Sequence, residues 1–161
     1  MVPITFGILV PSTIVWRSQD AAFWQDTKPG HTVLKIFGAI FWIIGASVLF
    51  ASNVSFHKQG RGTLEPWARP KHLVTTGLYR YVRNSMYLGV FTMLLGELLF
   101  FNNKNLLLYL LFFMVAQSIN VPLHEERVLR KSFGPEFEEY CKHVPRWIPR
   151  LHPYTPRKGT N

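Results

Sequence analysis

Two stretches of this chain carry no charged side chain: Ile36 to Phe56, twenty-one residues, and Asn105 to Leu123, nineteen residues. At about 1.5 Å per helical residue, each is long enough to cross roughly 30 Å of hydrocarbon. Backbone in hydrocarbon must satisfy its own hydrogen bonds, so runs of this kind are restricted to helices. Two further apolar runs join them. From Asn84 to Asn103 the only charge is Glu97, and Met1 to Trp16 is apolar apart from its polar uncharged residues, with Pro3 and Pro11 inside it. The first run lacks the basic start and small-residue cleavage site of a signal peptide and reads as a short, kinked span. The prediction is an all-α integral membrane protein, a single membrane domain over 1–161. Its four spans, at about 2–16, 34–56, 85–101 and 105–123, form two hairpins. A polar loop covers 57–83, and an interfacial tail with an amphipathic helix covers 124–161.

Charge is distributed in keeping with this layout. The formal net charge is +9, with 18 lysines and arginines. Six of them (Lys58, Arg61, Arg69, Lys71, Arg80 and Arg83) lie in the 57–83 loop, and eight follow His124. The positive-inside rule puts the loop and the tail together on the cytoplasmic side, two spans apart. Basic residues placed beside spans point to a membrane surface, not to nucleic acid. One cysteine, Cys141, rules out an internal disulfide framework and a cysteine-based zinc site. "HEER" at His124 lacks the second histidine of a zinc helix, and although His57, His72 and His124 can gather at one surface, no metal site is predicted.

The turn "FNNKN", Phe101 to Asn105, folds spans three and four into an antiparallel hairpin. That hairpin returns Glu125 and Glu126, just past span four, to the neighbourhood of Tyr79, Arg83 and Tyr87. Two carboxylates, an arginine and tyrosines gathered at a membrane surface suit a ligand with both signs of charge. Arg83 precedes a helix start, where free N–H groups and the helix dipole favour an anion and a guanidinium adds a bidentate clamp. Asn84 or Ser85 can cap that helix. Taken one at a time, the same residues have plainer readings. Glu125 and Glu126 can pair with Arg127 or Arg130 at a helix exit. Arg80 can anchor on lipid phosphate. Glu97 can bond Gln117 or Asn120 on span four. Phe133, Phe137 and Tyr140 can lay a tail helix on the bilayer, broken at Gly134-Pro135, with Trp147 at headgroup level and Arg146 and Arg150 on phosphates.

Two blocks, "KHLVTTGLYRYVRNSMYLG" and "EERVLRKSFGPEFEEYCKHVPRWIPR", are separated by two apolar spans. In motif and spacing, the region from about Gly62 to Arg150 resembles the isoprenylcysteine carboxyl methyltransferase and phospholipid methyltransferase families of small membrane enzymes. The resemblance implies S-adenosylmethionine as cofactor, with no soluble nucleotide-binding domain. It implies cofactor contacts at Lys71, His72, Leu73, Val74 and Tyr79. An arginine-led element at Arg83, Asn84, Ser85, Met86 and Tyr87, and the acidic pair Glu125 and Glu126, complete the set. Arg83 and Glu126 are the candidate catalytic residues. The His-Pro usual in that element is Asn84-Ser85 here. The implied acceptor is a membrane lipid or lipidated molecule entering from the bilayer, in a bacterial inner membrane or the endoplasmic reticulum, with the catalytic face cytoplasmic. An NADPH-dependent membrane reductase of related layout and a non-enzymatic protein retaining the fold are the alternatives.

Overall fold

The computed structural model describes residues 10–17, 30–60 and 72–155. Its elements among these residues are helical: α1 (Val10–Arg17), α2 (Gly30–Gly60), a 3₁₀ turn (Gly77–Arg80), α3 (Ser85–Phe101), α4 (Lys104–Asn120), a π-helical turn (Val121–Glu125), α5 (Glu126–Phe133) and α6 (Pro135–His143). Two helices are long and apolar enough to cross a membrane, Thr32–Gln59 and the continuous run Lys104–Phe133. The predicted third span coincides with α3, and the second lies inside α2. Only the end of the predicted first span, as α1, falls within the described residues; the rest of it, like Lys71, lies outside them.

The closest packing joins α2 to α3, not the α3–α4 hairpin, and glycine makes it possible. Gly38 and Gly45 on α2 face Gly96 and Gly89 on α3. A Cβ at Gly45 would meet the Gly89 carbonyl oxygen at 2.6 Å, and one at Gly38 would meet the Gly96 carbonyl oxygen at 2.7 Å. Small residues let helix backbones approach closely where apolar burial alone gives little drive to associate. Around this seam Leu49, Val90, Met93, Leu94, Leu110 and Phe113 form the core shared by α2, α3 and α4. Large apolar side chains on the outer faces, Ile43, Phe50, Phe112 and Leu108 among them, are exposed, as expected of surfaces that meet lipid.

At the end of α3 remote from the membrane-crossing run of α2's start, the chain builds a polar cap. The loop after residue 71 is tied to α2 by Gln59, whose side-chain oxygen accepts from the Thr75 backbone N–H at 3.0 Å and from the Thr76 hydroxyl at 2.8 Å. Gly77 turns there with φ +58°, close against Ser55. The C-terminal segment then runs back over the loop: Arg83 N–H donates to the Pro145 carbonyl, Arg150 N–H to that of Tyr81 and Tyr154 N–H to that of Arg80.

Several sequence-based expectations change here. The apolar side of the tail helix is not turned to a bilayer. Phe137 and Tyr140 are buried with Leu73 and Val144 in a second core under the loop. Arg80 holds the tail, donating to the Tyr154 carbonyl at 2.7 Å and the Thr155 hydroxyl at 3.1 Å, in place of lipid phosphate. Trp147 packs against Tyr87 and Phe91 on α3. Glu97 accepts from the Trp42 indole on α2, not from Gln117 or Asn120 on α4. The break at Gly134-Pro135 stands as read: Gly134 has φ +49° and separates α5 from α6.

Candidate functional site

The π-helical turn positions the acidic pair. Pro122 has no N–H to continue the α-helical ladder. The helix widens instead, and the Glu126 N–H reaches back five residues to the Val121 carbonyl. Such wide turns insert one residue without ending a helix, and they recur at functional sites. Here Glu125 and Glu126, adjacent in sequence, both face the cap.

Their partners divide cleanly. Glu125 Oε1 accepts a short hydrogen bond from the Tyr87 hydroxyl on α3 and one of 3.3 Å from the Asn120 amide. Glu126 is only 5% exposed. It receives Arg83 Nη1 at 3.0 Å and is gripped on both oxygens by Arg146, through Nε and Nη2 at 2.8 Å each. The exit pairing with Arg127 or Arg130 is therefore not formed, and Arg146 serves this carboxylate instead of a lipid phosphate. Buried ion pairs hold only when lone pairs and protons are well matched, which the bidentate geometry achieves.

These side chains open onto a cleft of about 520 Å³, its mouth included, lined by Phe56, Leu73, Val74, Tyr79, Arg83, Asn84, Val121, Glu125, Glu126, Leu129, Phe133, Phe137 and Tyr140. Its lining is mostly apolar with a few placed polar groups, the composition of small-molecule sites. Arg83 is the clearest of those groups. It donates to Cys141 Sγ at 2.7 Å as well as to Glu126, yet its Nε is buried with no hydrogen-bond partner. Burial pushes the Cys141 thiol upward against the pull of the Arg83 charge. Burial, resisted by a hydrogen bond from Ser85, likewise drives the Tyr79 phenol above its ordinary value. Both groups are therefore neutral hydrogen-bonding partners near neutral pH.

The predicted site residues do not all meet. Leu73, Val74, Tyr79, Arg83, Asn84, Glu125 and Glu126 line the cleft, and Tyr87 supports it through Glu125. His72 is exposed and Met86 packs on the core cluster of the helices. Ser85 is buried and hydrogen-bonds the Ser52 hydroxyl of α2 at 2.9 Å. Asn84 occupies the cap position of α3 but makes no side-chain cap; its amide donates to the Arg146 carbonyl at 3.1 Å. Sequence reasoning missed Phe56, Val121, Leu129 and Cys141. It gave Phe133, Phe137, Tyr140 and Arg146 to the membrane, because helical periodicity marks an apolar face but not what covers it.

Fold and cleft together define a helical membrane protein with a charged site at one end of its helices. A phospholipid methyltransferase family profile matches residues 33–136, from α2 through the π turn into α6, and the chain belongs to that family. It is also similar to a protein-S-isoprenylcysteine O-methyltransferase of Schizosaccharomyces pombe, with 40% identity over 82 residues. That alignment takes in 49% of this chain and 34% of the relative, so the chain matches about a third of the relative's length. No solved structure matches.

Proposed function

We propose that this protein is an S-adenosylmethionine-dependent methyltransferase acting on a lipophilic acceptor at the cytoplasmic surface of its membrane. The observation that carries the reading is Arg83. A buried guanidinium with an unpartnered Nε, facing a cleft that also presents Glu125, is matched by a ligand bearing a carboxylate and hydrogen-bond donors. S-adenosylmethionine has both, and when bound it supplies a methyl group on a sulfonium that leaves as a neutral thioether.

The chain's own residues then have distinct tasks. Arg83 takes the carboxylate, swinging its free Nε edge outward while Arg146 continues to neutralise Glu126. Glu125 accepts from the ammonium or the ribose hydroxyls, its orientation fixed by Tyr87 and Asn120. Tyr79, Phe133 and Phe137 offer aromatic surface to adenine, and a neutral tyrosine face is attractive to a sulfonium. Val121 and Leu129 help exclude water from the reacting centre. Methyl transfer is an in-line displacement, so alignment by these walls supplies much of the catalysis. A carboxylate or thiolate acceptor needs no base, whereas an amine must first lose a proton, for which Glu125 is placed. The acceptor enters sideways from the bilayer, and the shared charge of the 57–83 loop and the tail makes the cleft cytoplasmic.

Calorimetry with S-adenosylhomocysteine tests this directly. Wild type should bind and Arg83→Ala should lose about 1.5–3 kcal/mol, the range for a charged hydrogen bond. Binding of NADPH in place of S-adenosylhomocysteine would install the reductase reading, and binding of neither at millimolar concentration would leave a fold without its chemistry. Transfer of a labelled methyl group to host membrane extracts identifies the acceptor.

A further inference from the structure

At the far end of α3 lies a second cavity that shares no lining residue with the charged cleft. It holds about 870 Å³, mouth included, between Gly38, Trp42 and Ile43 of α2 and Gly96, Glu97, Phe100 and Phe101 of α3. Glu97 is fourteen residues beyond Arg83, so the two sites are separated by about 21 Å along the helix. Ser12 of α1 and Ala39 of α2 complete the lining, so the walls are apolar except for this carboxylate, the Ser12 side chain and the Trp42 indole N–H. Glu97 is 9% exposed; its Oε1 receives the Trp42 indole N–H at 3.3 Å, while Oε2 is buried with no partner. No lysine, arginine or histidine is among the lining residues.

A carboxylate at hydrocarbon depth is costly unless it is paired, and such residues mark ligand or ion sites by default. Among the described residues Glu97 receives one hydrogen bond and no counter-charge, and its second oxygen lies unpartnered beside a cavity large enough for a ligand. Ile43, Phe100 and Phe101 at the rim are 60%, 41% and 48% exposed, a surface that suits acyl chains and repels free polar solutes. We propose that this cavity binds the head of a lipophile carrying a protonated amine, the ammonium completing both the charge and the hydrogen bonding of Glu97. An ammonium has three donors and can meet Oε2 without disturbing the indole on Oε1. The site is separate from the methyl-transfer cleft and stands whether or not that reading holds.

The test uses the protein in phosphatidylcholine nanodiscs and three photoreactive dodecyl probes, identical except for a primary amine, an alcohol or a methyl ether at the head. Cross-links are mapped by mass spectrometry. The amine should label residues 38–43 and 96–101 at least about tenfold more than the ether, the factor that one charge-assisted hydrogen bond supplies. Glu97→Gln, with helical content checked by circular dichroism, should bring the amine down to the ether's level. Equal labelling by amine and ether in wild type would reduce the cavity to an apolar groove and overturn the proposal, even if the variant fails to fold. Labelling by the alcohol as strong as by the amine would overturn the ammonium assignment, and so would undiminished amine labelling in a folded Glu97→Gln.

Discussion

The seam between α2 and α3 and the polar cap around Glu126 are held together by opposite means. Across the seam the glycines meet backbone to backbone, and no ion pair crosses the core cluster around it. In the cap, Arg83, Glu126, Arg146, Asn84, Tyr79 and Tyr140 are joined by directed bonds from segments far apart in sequence. The seam depends on shape and tolerates no added atom. The cap depends on completeness, since any one missing partner strands a buried charge or carbonyl. A membrane protein with a ligand site at one end of its helices needs both: a rigid span to set the distance between elements, and at its end an arrangement of polar groups that a ligand can enter.

The largest effect should come from the centre of the cap. Glu126→Ala leaves Arg83 and Arg146 facing each other, with the Arg83 side chain only 12% exposed. Removing one member of a buried pair costs about 3–5 kcal/mol. Partial exposure of Arg146 places the expected loss near the lower end. The thermal midpoint in detergent should fall by several degrees, and proteolysis should first attack the released segment after His143. A midpoint within one degree of wild type would show that the two arginines find other partners and that the cap is not built around this carboxylate.

On the seam, Gly45→Ala should come next. Its methyl would meet the Gly89 carbonyl oxygen and the Met93 backbone N, each at 2.6 Å. These are backbone atoms that cannot move without parting the helices, and overpacking of this kind costs about 1–3 kcal/mol. Gly134→Ala, where nothing lies within 4 Å of the added carbon, is the contrast. At φ +49° and ψ −124° the backbone strain alone should cost about 1–3 kcal/mol. If Gly45→Ala costs less than about 1 kcal/mol, the seam is looser than its backbone distances imply.

Much of this contrast was legible in the sequence, but not evenly. The apolar runs, two of them charge-free and the third carrying only Glu97, placed α2 to α4 to within a few residues, because a membrane span is set by length and polarity alone. The meeting of Arg83 with Glu125 and Glu126 followed from hairpin topology. The individual pairings did not. Glu126 could have chosen any of several nearby arginines, and Arg146 wins because the tail folds back over the loop, a long-range event with no local signal. Phe137 and Tyr140 showed an apolar face but not whether lipid or protein covers it. Pro122 was a readable sign of the π turn that went unused, since a proline late in a span was absorbed into the helix end.

Within the cap, the Tyr140 hydroxyl donates to the Tyr79 carbonyl at 2.6 Å in a buried site. Tyr140→Phe keeps the ring packing and leaves that carbonyl unsatisfied. The loss should be about 0.5–1.5 kcal/mol, read as a shift in the unfolding midpoint. Because Tyr79 also lines the cleft, S-adenosylhomocysteine affinity should fall in step. Loss of stability without loss of affinity would separate the cap's scaffold from its site.

The smallest effect concerns Ser85, where the related enzymes suggest proline. From sequence alone, Ser85→Pro should be tolerated or slightly stabilising, since proline at a first helical position needs no N–H and stiffens the unfolded chain. The structure gives two reasons for the opposite sign. The hydroxyl is buried and hydrogen-bonded to Ser52 at 2.9 Å, where the cap touches α2. Asn84 has ψ 48°, well short of the extended values that a following proline imposes. Ser85→Ala removes only the hydroxyl and should cost about 0.5–1 kcal/mol. Ser85→Pro removes the hydroxyl and also pulls Asn84 toward extended backbone, away from its bond to the Arg146 carbonyl; the gain of about 0.4–1 kcal/mol from the stiffer unfolded chain offsets only part of this. The proline variant should therefore be no more stable than the alanine variant and should bind S-adenosylhomocysteine more weakly than it. A proline variant more stable than wild type would mean that Asn84 reaches extended backbone without cost, and that the cap at this point is set by the helix start and not by the serine pair.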